Sequence, residues 1–142
     1  MYKRQEWGSA SDGQRIYVQI ANFYGLPFAG GFGGGWAALD PATGAVLWIA
    51  ADPNGSVAIG PMTVANGVVY ASSMGHLATM PNMLALSAAT GSTLWSYAAG
   101  ASVNAGATVV DGQVYWGSGY SHLGIPPWTP NNKFYKFTLG GH

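Results

Sequence analysis

Five carboxylates, three histidines and no cysteine are all that this 142-residue chain brings to carboxylate acid–base chemistry or metal ligation. Their contexts point to turns. Asp12 and Asp111 each precede a glycine, Asp40 stands three residues before Thr43-Gly44, and Asp52 precedes Pro53 between two repeat units. In such settings an aspartate's oxygens accept hydrogen bonds from backbone amides one to three residues on. Glu6 lies in a short charged N-terminal stretch. Calcium needs several converging oxygen ligands, and no carboxylate cluster suited to it stands out. His76 and His122 occupy loops, and His142 is terminal. Two loop histidines in neighbouring units could share a metal, but no third ligand is evident, so solvated loop roles are expected. The run Gly30-Gly31-Phe32-Gly33-Gly34-Gly35 lacks the Lys-Ser/Thr of a phosphate cradle and leads into a strand instead of a helix. It is expected to be a flexible loop.

Composition sets the frame for these residues. Charged residues make up 7% of the chain and hydrophobic residues 49%, too few charges and too much apolar content for intrinsic disorder. The formal net charge is zero, so no basic stripe exists to neutralise phosphates and nucleic-acid binding is not expected. The apolar runs are short and broken by Gly, Asn or Pro, so no membrane span is expected. The opening Met1-Tyr2-Lys3-Arg4-Gln5-Glu6 has no apolar stretch behind its charges and does not read as a secretory signal. The absence of cysteine rules out disulfides and thiolate metal sites.

A repeat must position whatever chemistry there is. Trp36–Trp48 reads WAALDPATGAVLW and Met83–Trp95 reads MLALSAATGSTLW, with Trp48 and Trp95 47 residues apart. Asp12-Gly13, Asn66-Gly67 and Asp111-Gly112 each precede a β-rich run carrying Tyr17, Tyr70 or Tyr115. Asn66-Gly67 between apolar runs signals a two-residue hairpin turn. One unit then holds four short antiparallel strands in about 45 residues, the size of a propeller blade. Strands are expected over Trp7–Ser11, Arg15–Ala21, Trp36–Asp40 and Ala45–Ala51. The next are Met62–Ala65, Val68–Ser73, Met83–Ser87 and Thr93–Tyr97, followed by Ala105–Val110, Gln113–Ser118 and Phe134–Leu139. The fold class is all-β, a propeller segment of three blades (7–51, 57–98 and 104–139), the last lacking its fourth strand. That ending is expected to be a propeller's C-terminus, where a strand from the other end of the chain often completes the blade.

The segment Ala38-Leu39-Asp40-Pro41-Ala42-Thr43-Gly44-Ala45-Val46-Leu47-Trp48 resembles the tryptophan-docking pattern AxDxxTGxxxW of pyrroloquinoline quinone (PQQ) dehydrogenases. Ala85 to Trp95 resembles it with Ser87 in place of the aspartate. The opening WGSASDGQRIYVQIAN and the closing VYWGSGYSH and NNKFYKF are similar to the polyvinyl alcohol dehydrogenase branch. The motif has a physical logic of its own. The small alanine leaves room for an indole from a neighbouring blade, Gly takes a backbone conformation closed to other residues, and Asp accepts from the turn's amides.

The resemblance implies PQQ beside a calcium ion in a funnel at one end of the ring, with a carboxylate as base. None of the carboxylates above fits that base, so catalytic and metal-ligating residues are expected outside this chain. Asn104 and Asn131 are the candidates for cofactor contact, each competing with an ordinary turn role. Phe23, Tyr24, Phe28 and Phe32, with the loop Gly119–Asn132 carrying Ile125-Pro126-Pro127-Trp128, are candidates for an apolar funnel wall. Three functions are weighed: the C-terminal blades of a PQQ-type quinoprotein dehydrogenase acting on a small alcohol or polyvinyl alcohol, a non-catalytic scaffold, and blades that assemble from several copies. Expected partners are missing blades or other copies of the chain. By resemblance, the parent is periplasmic or secreted.

Overall fold

The computed structural model describes residues 7–29, 31–122 and 128–138. Glu6, Gly30, Ile125-Pro126-Pro127, Leu139 and His142 lie outside them. All regular structure in these residues is antiparallel β.

The first sheet is β1 (Ala10–Ser11), β2 (Ile16–Ile20), β3 (Gly35–Leu39) and β4 (Val46–Ala51), paired in chain order. The second is β5 (Thr63–Ala65), β6 (Val68–Ser72), β7 (Met83–Ser87) and β8 (Thr93–Tyr97), again a meander. The third is β9 (Thr108–Val110), β10 (Gln113–Gly117) and β11 (Phe134–Thr138), with three strands among the described residues. The first strands of the sheets lie side by side, so the sheets radiate from a shared inner edge, as propeller blades do.

Turn chemistry fixes the registers. Asn66 and Gly67 both have positive φ, 51° and 75°, as the two-residue hairpin turn requires, and Asp111-Gly112 repeats it at 49° and 70°. Asp12-Gly13 differs. Only Gly13 is positive there, and Ser11 pairs with Ile16 across a four-residue loop. Asp12 accepts from the amides of Gln14 and Arg15 and from the Tyr17 hydroxyl, so the side chain shapes this turn where the backbone shapes the other two.

Two apolar seams hold the sheets together. Tyr17, Trp36, Ala38 and Trp48 of the first sheet pack on Val69, Ala71, Leu84 and Leu86 of the second. Met83 of the second meets Val114 and Trp116 of the third, with Tyr70, Tyr135 and Phe137 at the margin. The Trp48 indole reaches across the first seam. Its Nε1 donates to the Ala88 carbonyl at 2.9 Å, its ring lies against Gly91, and Tyr17 tilts onto it at 6.0 Å.

Antiparallel meanders put the β1–β2 and β3–β4 turns at one end of the molecule. The β2–β3 loop, its counterparts and the segments between sheets lie at the other. A third apolar cluster, Ala21, Ile59 and Met74 with Phe23, Tyr120 and Trp128, gathers loops of all three units at this loop end.

Candidate functional site

The loop end holds the polar groups that the turns do not use. A shallow pocket of about 260 Å³ is lined by Trp7, Asn104, Ala105, Gly117, Ser118, Gly119 and Tyr120. Asn104 opens the inner strand region of the third unit and is only 5% exposed, and its Oδ1 is buried without a hydrogen-bond partner among the described residues. Two aromatic residues and one amide line this pocket, with no charged side chain.

Asn131 is placed differently. Its Oδ1 accepts from Ser118 Oγ at 2.7 Å and from the Lys133 amide, and its Nδ2 donates to the Ala99 carbonyl. Its amide is committed to tying the 118–133 loop to the segment between the second and third sheets. The sequence candidates thus separate into one amide with a spare acceptor at a pocket and one whose oxygen and nitrogen both serve as a tie.

The aspartates also separate. Asp40 accepts from the amides of Ala42 and Thr43 and from the Thr43 hydroxyl, and the Thr43 bonds, backbone first, hold its exposed carboxyl below the usual range. The Tyr17 hydroxyl chiefly does the same for Asp12. In return, burial first and Asp12 second push the Tyr17 phenol up to about 12. Asp111 sits in its tight turn.

Asp52, which the sequence places in a loop between units, is 5% exposed. Its Oδ2 accepts from Ser73 Oγ at 2.6 Å and its Oδ1 from the Asn54 amide at 2.8 Å. Ser73 Oγ in turn accepts from Asn54 Nδ2 and from the Gly75 amide. Burial pushes the Asp52 carboxyl up to about 7, against the lowering effect of its hydrogen bonds to Ser73 and Asn54. The Asp-Pro-Asn-Gly stretch signals a turn, but its burial depends on Ser73 in another unit, 21 residues away, which no local pattern shows.

Part of the glycine-rich stretch is enclosed and tied. Gly33–Gly35 are buried, and the Asn22 amide, itself 3% exposed, donates to the carbonyls of Leu26, Phe32 and Gly33 while accepting from the Leu26 amide. One satisfied amide at the loop's neck fixes its path. The wall aromatics divide: Phe28 is buried, Phe23, Tyr120 and Trp128 are partly buried, and Tyr24 and Phe32 project into solvent at 74% and 70% exposure.

Among the described residues no group of three or more His, Cys, Asp or Glu side chains gathers to hold a metal. His76 enters the loop network through its carbonyl, which accepts from Thr129, and His122 stands edge-on to Tyr120. The pocket carries no cation to meet a quinone's carboxylates and no carboxylate to ligate calcium. These residues do not fit a calcium–quinone pair.

Meandering sheets side by side at their inner strands, with an indole bridging one seam, define a β-propeller segment. The chain belongs to the PQQ_2 family of PQQ-type propeller repeats, whose model, described as outer membrane protein assembly factor BamB, matches residues 33–125. Among solved structures, the chain is similar to a quinohemoprotein alcohol dehydrogenase from Comamonas testosteroni at 18% identity, covering 81% of this chain and 17% of that one with a TM-score of 0.60. It is also similar to a europium-containing methanol dehydrogenase at 19% identity, covering 81% and 20% with a TM-score of 0.56. The chain therefore spans about a fifth of the length of these dehydrogenases, and at this identity the likeness is one of fold. No curated protein matches the chain.

Proposed function

We infer that these three sheets are blades of a PQQ-type quinoprotein alcohol dehydrogenase whose full propeller oxidises secondary alcohols or polyvinyl alcohol in the periplasm or outside the cell. Within it this chain supplies wall and seams, and the remaining blades supply the base and the metal ligands. The observation that carries this reading is the repeated Thr-Gly-Trp unit, whose first indole spans a seam between two sheets. The polyvinyl alcohol branch rests on the opening and closing segments quoted above. On this reading the partners are further blades or other copies of the chain.

Adding PQQ and Ca²⁺ to the isolated chain while following tryptophan fluorescence tests the division of labour. Unchanged emission is expected, and saturable quenching would show that this chain holds the cofactor itself. A second reading, a non-catalytic propeller scaffold, is favoured by the lack of a metal-holding group among the described residues. The two readings part on whether the chain, joined to its missing blades, gives an alcohol-reducible quinone centre.

A further inference from the structure

The pocket at the loop end has its origin in the repeat. Tyr17, Tyr70 and Tyr115 pair with Ala10, Thr63 and Thr108, the first residues of β1, β5 and β9. Two residues beyond those tyrosines stand Gln19, Ser72 and Gly117, and three residues before those strand starts stand Trp7, Gly60 and Ala105. In the first two units the niche between these positions is filled. Gln19 and Ser72 are fully buried; Gln19 Nε2 donates to the Trp7 carbonyl, and the Ser72 hydroxyl leaves no room for a Cβ on Gly60. Gly117 has no side chain to put there, and a Cβ built on it would meet only Phe134 and Ala105, at 3.7 and 4.0 Å. The third unit's niche is therefore open, and it is part of the pocket.

Asn104 makes the open niche polar. Its register counterpart in the second unit is Ile59, 1% exposed, so the packing of a blade does not call for an amide here. Asn104 is nonetheless almost wholly buried at the pocket wall. Its Oδ1 has no partner and its Nδ2 makes no hydrogen bond among the described residues. Gln19 and Asn82 also leave an oxygen unmet, yet each donates through its nitrogen to a backbone carbonyl. An enclosed amide with neither end met costs stability, and at a place where an apolar residue would pack it calls for an outside partner.

The pocket's chemistry sets what that partner is. No charged side chain lines it, so an ionic ligand would lose water without gaining a counter-charge. The amide presents an acceptor beside a donor, and hydroxyl groups, which both donate and accept, match the pair. Trp7 and Tyr120 add aromatic surface, and about 260 Å³ takes a single ring. Apolar walls with a few placed polar groups are the usual make-up of a small-molecule site.

We propose that the niche between Asn104 and Gly117 binds a neutral sugar ring, its hydroxyls on the Asn104 amide and its C–H surface against Trp7 and Tyr120. The site uses no base, metal or quinone, so it stands apart from the dehydrogenase reading and holds or fails without it.

Saturation-transfer NMR on the full chain tests it with methyl glucoside, methyl mannoside and N-acetylglucosamine, taking glucuronate as the charged control and isopropanol as the ringless one. Transfer to the ring protons of at least one neutral sugar, and none to glucuronate, is expected. Asn104→Leu should weaken that binding by about tenfold or more, with a urea midpoint unchanged or raised because an unmet amide is gone. Should Asn104→Leu fail to fold, Gly117→Ser serves, since its added atoms have room. It restores the hydroxyl that fills the second unit's niche, and binding must fall likewise. No transfer to any of these sugars, equal transfer to isopropanol, or binding unchanged in either variant would overturn the proposal.

Discussion

The repeat contains its own control for the indole contact. Gly44 and Gly91 occupy the same place in successive units, with φ of 72° and 74° and the same pair of turn hydrogen bonds at 2.8 Å. They differ in what stands over them. A methyl added at Gly91 would come within 2.5 Å of Trp48 Cε3 and 2.8 Å of Cδ2, whereas one added at Gly44 meets nothing within 4 Å. Gly44→Ala therefore carries only the left-handed backbone penalty, about 1–2 kcal/mol. Gly91→Ala carries that and an overpacking cost of about 1–3 kcal/mol, because the clashing atoms belong to a rigid, buried ring. Urea unfolding followed by far-UV circular dichroism measures both. With a slope of about 1–3 kcal/mol/M, the Gly91→Ala midpoint should fall below that of Gly44→Ala by on the order of 1 M. In a Trp48→Ala background the difference should vanish, since the ring that made the positions unequal is gone. Equal midpoints with Trp48 in place would refute the assignment of Gly91 to indole packing.

Trp48→Ala should cost about 3–5 kcal/mol, and Trp48→Phe, which keeps an aromatic ring but loses the Nε1 bond to Ala88, at least about 1 kcal/mol, both read from denaturation midpoints. The Asp52 carboxyl is raised in the folded state from 3.8 to about 7, so its contribution is fully present below pH 3.8 and is lost as pH rises through about 7. At about 1.4 kcal/mol per pH unit the loss comes to about 4–5 kcal/mol, and Asp52→Asn should flatten that part of the stability–pH curve. Tyr17→Phe removes the main cause of the low Asp12 titration, which should rise toward its ordinary value in a carboxyl NMR titration. Light scattering should find the isolated chain self-associated, with apolar surface open to dye binding. A dye-negative monomer would count against open blade faces.

The sheets were legible in the sequence because their signals are local. Met83–Ser87 and Thr93–Tyr97 fall on the observed strands residue for residue, since the Thr90-Gly91 turn between them sets the register. Strand starts near the inner edge were less legible. Trp7–Ser9 and Ala105–Ala107 read as strand, yet β1 begins at Ala10 and β9 at Thr108; the Trp7 and Gly8 carbonyls accept instead from the Gln19 side chain and the Met62 amide. The loop-end chemistry was least legible. Asn131 and Asp52 look alike as turn residues, and only contacts with Ser118 and Ser73, made across folded loops, turn one into an amide tie and the other into a buried acid.

Comparison between units also separates a blade's rim from an uncovered face. Leu94 of β8 remains 59% exposed although the first sheet stands in front of it, so the 48% exposure of Leu47, its counterpart on β4, is ordinary for the outer strand. Deeper positions behave differently. Val69 is fully buried and Leu86 is 1% exposed where the first sheet packs on them, while their counterparts Ile16 and Leu39 are only partly buried. The turn carrying Gly91 holds an indole; the same turn at Gly44 stands open. The first sheet therefore presents, position for position, the surface with which the second receives its neighbour. What fits such a surface is the opposite face of a blade with an outer-strand tryptophan, as in the seam between the first two sheets.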